Sequence, residues 1–331
     1  MSIKITNMKE EDGMLYFTIS GININIANGI RRTILSDIKS LILYNIYIEN
    51  NNSCLNDEVM KQRLSCIPVH LSPSDENYKY YQIELDIVNN YQENIHVTSN
   101  DIKIIDTRNG NIIDNIVLFP PDEFGNFIEI VILKPSTPLL QSQLKLRCSL
   151  NVTQEDDKNT NCVASTSVFM KFIDEDTICK IYKEKYNQEN IENIDKYLLR
   201  RKLKHSDYSD FLSETDYEFI IETIGFFTNK DIFKKALRII INKLENLMLN
   251  IIFKNHDNNQ DIFINNEKYT IGNMLKEILV NENVIFQSLE VNNNSFIRLG
   301  FNKKSSIYTL ENIKEKINEL ILIFNSIIEL F

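Results

Sequence analysis

No two cysteines of this sequence stand in a C-x-x-C arrangement. The five present, Cys54, Cys66, Cys148, Cys162 and Cys179, are odd in number and widely spaced. A structural zinc needs four converging ligands, and His70, His96, His205 and His256 complete no such cluster. Ordinary buried or half-buried thiols are expected, with no metal and no cofactor. Long apolar runs are missing as well: nothing is long enough to span a bilayer. Lys4, Lys9, Glu10, Glu11 and Asp12 interrupt the opening segment where a signal peptide would be apolar. The expectation is a soluble intracellular protein with no membrane partner. Positive charge is in deficit, since 36 Lys and Arg against 46 Asp and Glu leave a net charge of -10 and a pI close to 5.1. Such a surface is a poor match for a nucleic-acid backbone, so the partners expected are proteins. A catalytic constellation is absent too. Asp57, Glu58 and Arg63 suit acid–base work in type, yet no nucleophile, phosphate loop or metal cluster stands beside them. They read as a salt-bridged turn or a subunit contact, and no residue is expected to be catalytic.

What is present fits a folded chain of two or three domains: 331 residues, 43% of them hydrophobic and 25% charged. One pattern occurs twice. Leu15-Tyr16-Phe17-Thr18-Ile19 reads as a strand, Asn28-Gly29-Ile30-Arg31-Arg32 opens a helix whose apolar face runs through Ile30, Ile34, Ile38, Leu41 and Ile42, and Ile46-Tyr47-Ile48 closes as a strand. Near the other end, Ile262-Phe263-Ile264 precedes Thr270, Gly272, Asn273 and Met274, then Leu275, Ile278 and Leu279 form a short helix face, and Val284-Ile285-Phe286 follows. Gly29 and Gly272 near helix starts permit a tight turn or a close approach, while Asn28 and Asn273 can bond free amides of a first turn.

Each copy continues into a strand and a long amphipathic helix. Phe219 to Gly225 leads through Thr228-Asn229-Lys230-Asp231 into a helix with Leu237, Ile241, Leu244 and Met248 on one face. Phe296-Ile297-Arg298-Leu299 leads into one with Ile313, Ile317, Leu320 and Phe324. Thr228 with Asp231 has capping-box spacing, and Thr309 is the N-cap expected for the terminal helix. Such stripes must be buried on a sheet or on another helix. Paired amphipathic helices after short strands occur in many α+β proteins, so periodicity alone leaves duplication and coincidence both open.

The ordered combination of motifs is more specific. Asn28-Gly29-Ile30-Arg31-Arg32, Asp57-Glu58, Arg63-Leu64, Ile67-Pro68 and Glu222-Thr223-Ile224-Gly225 resemble the larger α-like subunit of multisubunit RNA polymerases, the archaeal D-type polypeptide and its eukaryotic counterpart. Tyr269-Thr270-Ile271-Gly272-Asn273-Met274-Leu275 resembles the smaller partner, the archaeal L-type polypeptide. The resemblance covers nearly the whole chain and is poorest between about Asp174 and Glu214 and at the linker near His256 to Gln260. It departs from the family at Gly29, where Ala is usual, and at Glu277, where the first copy has Arg32.

This resemblance implies a noncatalytic assembly subunit of DNA-directed RNA polymerase in which two ordinarily separate proteins are fused, as in large DNA viruses. The implied fold is α+β, with two α-subunit-like dimerisation units forming an intramolecular pseudo-dimer and a mainly β domain inserted in the first. Its divisions are residues 1–49, the N-terminal portion of the first unit; 50–174, the β insertion; 175–214, a connecting segment; 215–255, the C-terminal portion of the first unit; and 256–331, the L-like second unit. Leu237, Ile241, Leu244, Met248, Ile313, Ile317, Leu320 and Phe324 would form the pseudo-dimer interface. Asn28, Arg31, Arg32, Asp57, Glu58 and Arg63 would dock other subunits, and Thr270, Gly272 and Asn273 mark the second motif. The implied partners are two large catalytic subunits and small adaptor subunits, with DNA and RNA met only through the assembled complex and no obligate homodimer. The setting would be a virion or cytoplasmic viral factory, or otherwise a nucleus.

Other readings remain beside it. Arg31 and Arg32 dock a partner or merely solvate their helix. Arg200-Arg201-Lys202 with Lys204 touch nucleic acid or an acidic surface, or form a wet helix face downstream of Glu189, Glu192 and Asp195. A nucleic-acid-binding transcription accessory protein and an independent enzyme are the alternatives from other classes.

Overall fold

In the computed structural model, residues 3–137, 141–153, 163–186, 196–255, 259–265, 269–279, 284–291, 294–302 and 310–331 are described. The chain divides into two compact bodies. Body I comprises Met1–Thr33, Thr166–Glu222 and Phe233–Phe331, and body II comprises Ile34–Ser165 and Thr223–Ile232.

The chain opens with a hairpin, β1 (Lys4–Glu11) and β2 (Met14–Ser20), followed by helix α1 (Ile24–Ser36). Leu15, Phe17 and Ile19 alternate inward on β2, as a half-buried strand requires, and α1 buries Ile26, Ala27, Ile30 and Ile34. The helix ends at Ser36, so Ile38 lies beyond it and Leu41 and Ile42 belong to β3 (Leu41–Asn51). The expected helix face was therefore too long. Its i+4 spacing ran on past the real stop because the next strand begins with three buried residues, Leu41, Ile42 and Leu43.

Body II is built largely from strands. After β3 come helix α2 (Asp57–Ser65), β4 (Tyr81–Val88), β5 (Ile95–Thr98), β6 (Lys103–Asp106), β7 (Ile112–Ile113), β8 (Glu129–Leu133) and β9 (Gln143–Val152). They form a five-stranded sheet in the order β3-β9-β4-β6-β7 and a two-stranded β5-β8 ribbon around a core that includes Met60, Leu64, Ile83, Leu85, Val97, Ile104, Phe119 and Leu146. Buried Asn89 donates from Nδ2 to the carbonyls of Glu93, Leu133 and Lys134. An unsatisfied amide there would cost a kcal/mol or more, about 1–3. After Pro120 and Pro121 the chain turns over Asp122–Gly125, with Gly125 N–H donating to the Asp122 carbonyl at 3.0 Å.

β10 (Ala164–Lys171) leads into α3 (Glu175–Tyr186), α4 (Lys196–Lys202) and α5 (His205–Tyr208), then β11 (Asp216–Thr223) and the long α6 (Asn229–Asn250). The segment expected to be a mere connection has its own apolar cluster of Ile173, Ile178, Tyr182, Leu199 and Leu203. Thr228 caps α6: Asp231 N–H donates to Thr228 Oγ1 at 3.2 Å, and that hydroxyl donates to Asp231 Oδ2 at 2.7 Å.

The last stretch consists of β12 (Ile252–Asn255), β13 (Asn259–Asn265), α7 (Tyr269–Leu279), β14 (Val284–Val291), β15 (Asn294–Asn302) and α8 (Leu310–Leu330). β12 pairs with β13 in antiparallel register, Asn255 opposite Gln260, so the expected division at 255/256 falls inside a hairpin. Thr309 lies outside the described residues.

Two four-stranded sheets result, in the orders β1-β2-β11-β10 and β12-β13-β15-β14. Position by position, β10 corresponds to β14. The sequence pattern paired Ile46-Tyr47-Ile48 with Val284-Ile285-Phe286 instead. That pairing is corrected by the ladders, because β3 bonds to β9 whereas β14 bonds to β15. Both long helices bury their stripes: Leu237, Ile241 and Leu244 on α6, and Ile313, Ile317, Leu320 and Phe324 on α8. Met248 is only half-buried, and its neighbour Leu247 takes the buried position. An aromatic cluster joins these elements. Phe17 stacks on Phe219 at 5.4 Å across β2 and β11, and meets Phe233 of α6 at 4.8 Å. Phe331, just past α8, lies 4.4 Å from Phe233 and 5.0 Å from Phe17.

Candidate docking surface

Helix α1 starts earlier than its motif. Asn23 caps it, its Oδ1 accepting from Ile26 N–H at 2.9 Å, so Asn28 and Gly29 sit in the second turn. The expected role of Asn28 as a cap is thereby corrected, since the amides of that turn are already bonded within the helix. Its carbonyl oxygen has another task. It accepts from Arg31 Nε at 3.0 Å and Nη2 at 2.9 Å, which fixes the guanidinium one turn along the surface. Arg31 is half-buried and Arg32 exposed, as the step of about 100° between adjacent helical residues predicts. Ser167 Oγ donates to the Arg31 carbonyl at 3.4 Å. The result is one braced guanidinium beside a second on a solvent-facing helix turn, a geometry suited to carboxylate or carbonyl acceptors on a partner.

Gly29 serves close approach and no turn. A Cβ there would lie 2.6 Å from Met274 Cε and 2.9 Å from its Sδ. The first motif helix thus touches the second, α7. Gly272 is buried as the fourth residue of α7, so it does not open that helix, and Thr270 and Asn273 are half-buried beside it.

Asp57 and Glu58 occupy the first turn of α2, where carboxylates complement the helix dipole, and Asn56 caps the helix by accepting from Val59 N–H. Asn51 Nδ2 donates to Asp57 Oδ1 at 2.8 Å. Arg63 stands at the opposite end, with Nε donating to the Ile130 carbonyl at 3.0 Å and Nη2 to the Glu129 carbonyl at 3.1 Å. It clamps α2 to β8, and these partners are carbonyls rather than the carboxylates of a salt-bridged turn. Asn28, Arg31 and Arg32 lie in body I, and Asp57, Glu58 and Arg63 in body II.

Other polar groups gave little sign of themselves in the sequence. Thr223 Oγ1 donates to the Val163 carbonyl at 2.9 Å, and Thr223 N–H donates to Asn229 Oδ1 at 2.8 Å, tying the start of α6 to the end of β11. Only the run Glu222-Thr223-Ile224-Gly225 hinted at it. In the basic stretch, Arg200 Nη2 donates to the Lys171 carbonyl at 3.0 Å and its guanidinium lies over Tyr208, while Arg201, Lys202 and Lys204 are exposed. Burial pushes the Cys148 thiol up to about 12, so it is an inert core group. Cys162 falls outside the described residues. No group of three or more His, Cys, Asp or Glu is arranged to hold a metal ion among the described residues, and none of their helices is long and apolar enough to cross a membrane.

Known proteins are similar to this chain over part of its length. Residues 16–244 match the RNA polymerase Rpb3/Rpb11 dimerisation domain. Subunit rpac1 of DNA-directed RNA polymerases I and III of Dictyostelium discoideum is 38% identical over 78 residues, 24% of this chain and 23% of that protein. A conjugation stage-specific protein of Tetrahymena thermophila is 30% identical over 115 residues, 30% of this chain and 37% of that protein. Subunit Rpo3 of the DNA-directed RNA polymerase of Pyrococcus horikoshii is 31% identical over 84 residues, 25% of this chain and 32% of that protein. The chain thus matches between 23% and 37% of the length of these relatives.

Proposed function

The chain belongs to the RNA polymerase Rpb3/Rpb11 dimerisation domain family, and from that premise we propose that it is a noncatalytic assembly subunit of DNA-directed RNA polymerase whose two halves pair within one polypeptide. The observation that carries the assembly role is the family match across residues 16–244, which takes in most of β2, all of α1 and most of α6. The second half adds its support: a sheet of the same strand order, followed by a long helix with a buried stripe. The Gly29–Met274 approach gives the two motif helices a direct contact.

The mechanism is geometric. Two α-like halves would ordinarily have to find each other in solution. Covalent linkage replaces that encounter with a high effective concentration and fixes their ratio at one to one. The resulting platform receives two large catalytic subunits and small adaptor subunits. Arg31, braced by Asn28, and Arg32 supply the polar contacts from α1, and Asp57 and Glu58 supply acidic ones from α2. Nucleic acid is met only through the complex, in keeping with a net charge of -10. A soluble intracellular setting and kinship with large DNA viruses belong to the same proposal.

The test is capture. The double variant Arg31→Ala, Arg32→Ala should keep its circular dichroism and melting temperature while binding to the two large subunits weakens by about 2–5 kcal/mol, as when a buried charged contact is lost. Unchanged capture by the folded variant would remove the docking role of α1.

A further inference from the structure

The loop that joins β7 to β8 in body II lies outside the docking proposed for α1 and α2. Both of its ends are pinned to one buried residue, Ser99. Ser99 N–H donates to the Ile128 carbonyl at 2.8 Å, and Ser99 Oγ accepts from Ile128 N–H at 3.2 Å. At the other end Asn115 Nδ2 donates to the Ser99 carbonyl at 3.4 Å and to the neighbouring Asn100 carbonyl. Between these ends, Leu118 and Phe119 are sunk in the body II core, and the Leu118 carbonyl accepts from His70 N–H at 2.9 Å. A loop with joined ends and its own side chains packed beneath it is a compact surface unit, and such units commonly carry function.

Its turn is fixed as well. Pro120 and Pro121 lead in with restricted φ. Asp122 N–H then donates to the Asn126 carbonyl at 2.9 Å, and the Asp122 carbonyl accepts from Gly125 N–H at 3.0 Å. Asp122 Oδ1 accepts from Phe124 N–H at 2.9 Å and from Asn126 N–H at 2.7 Å. Gly125 has a φ of 83°, a conformation that a residue with a Cβ rarely adopts. Backbone and side-chain hydrogen bonds from Asn126 hold the Asp122 carboxyl below the usual carboxylate range, so it is ionised and the turn closed near neutral pH. Within this closed turn Phe124 is 88% exposed, although the same loop buries Phe119 and half-buries Phe127. Ile116, Val117 and Ile128 add further exposed apolar surface. The charge of the stretch has one sign: residues 109–133 include Asp114, Asp122, Glu123 and Glu129 but no Lys, Arg or His. His96 holds Glu129, and the Arg63 guanidinium is committed to the Glu129 and Ile130 carbonyls. Asp122 and Glu123 have no cationic partner among the described residues.

We propose that this loop is a docking knob: Phe124 enters an apolar pocket of another protein, and Asp122 and Glu123 meet Lys or Arg on the rim of that pocket. An aromatic ring offers a large apolar area, and a backbone fixed before binding leaves little freedom to be lost, which is what an interface anchor requires. The two carboxylates just before the ring lack a counter-charge in their own chain, so a basic rim completes the pairing. A nucleic-acid strand would meet repulsion from the same carboxylates. A second copy of the chain, paired by a two-fold axis here, would set this acidic loop against itself. That the partner is another polymerase subunit rests on the function proposed above; the apolar and basic character of its pocket does not.

The experiment places the photo-cross-linking amino acid benzoylphenylalanine at Phe124, and separately at Arg32, in the full chain purified with its native complex, and maps the cross-linked peptides by mass spectrometry. The probe at Phe124 should capture one protein segment that carries Lys or Arg beside apolar residues. Glu123→Lys should lower that yield at least about tenfold, as a like charge set against a basic rim would. Asp122→Ala should lower it as well, because the turn that holds the ring opens. Unchanged circular dichroism and melting would show both variants folded. Cross-links from Arg32 but none from Phe124 would overturn the knob and leave the assembly role standing. Capture by Phe124 of an acidic segment, of nucleic acid or of a second copy of the chain would overturn it too, as would a yield that Glu123→Lys leaves unchanged. If no polymerase subunit co-purifies while Phe124 still captures a basic segment, the assembly role fails and the knob stands.

Discussion

The two four-stranded sheets share one strand order but differ in what their motif helices present. On α1, Asn28 braces Arg31 and Arg32 is exposed, whereas the corresponding stretch of α7 has Gly272, Asn273 and Met274 packed inward or half-buried. Both helices bury an apolar face, with Ile26, Ala27 and Ile30 on α1 and Ile271, Met274, Leu275 and Leu279 on α7. The difference lies in the polar side, so a repeated scaffold need not repeat a binding role. The same scaffold also tolerates unequal connections: α1 is followed by β3, which leaves for the body II sheet, and β10 fills the place that β14 fills directly in the other half.

If both stripes are equally structural, truncation should cost the same in each. Phe324→Ala is expected to lower stability by about 3–5 kcal/mol and Leu244→Ala by about 2–5 kcal/mol, since both side chains are fully buried. Chemical denaturation of purified variants measures both. A cost below about 1 kcal/mol on one side would break the symmetry of the comparison.

A smaller effect concerns the contact between the motif helices. Gly29→Ala gains up to about 1 kcal/mol of helix propensity but drives its methyl into the buried end of Met274. The clash meets the flexible end of a methionine, so it should offset the gain and leave the net change within about 1 kcal/mol of zero. In a Met274→Ala background the same change should instead stabilise by up to about 1 kcal/mol. Additive effects across this double-mutant cycle would mean that the two helices do not meet there.

The smallest effect sharpens the comparison at the helix starts. Thr228→Ala should cost about 1 kcal/mol through the lost cap of α6. Thr309→Ala should cost a similar amount if Thr309 caps α8 as its sequence position predicts, and thermal melting of the pair decides it.

Much of this fold could be read from pattern. β4 and β9 alternate strictly enough to show their faces, and the 3.6-residue stripes of α6 and α8 are regular over several turns. What misled was local chemistry with two solutions. Asn28 has the side chain of a cap, but Asn23, five residues earlier, had already taken that role and left Asn28 to hold Arg31. Arg63 has the charge of a docking residue, yet its bonds run to β8 carbonyls 66 and 67 residues away. A bulge in β3, where three steps from Tyr44 to Tyr47 match two on β9 from Ser149 to Arg147, was invisible for a related reason. It exists only in register with β9, and the Ser149 hydroxyl that meets the Tyr44 carbonyl is 105 residues distant. Long-range register leaves no local mark on composition or spacing.

The central claim is that one chain supplies both α-like halves of a polymerase platform. Native mass spectrometry of the complex captured through this chain tests it most directly. The account predicts one copy of the chain with two large subunits and no separate small α-like polypeptide. A second copy of the chain, or a separate α-like partner bound to it, would contradict that claim.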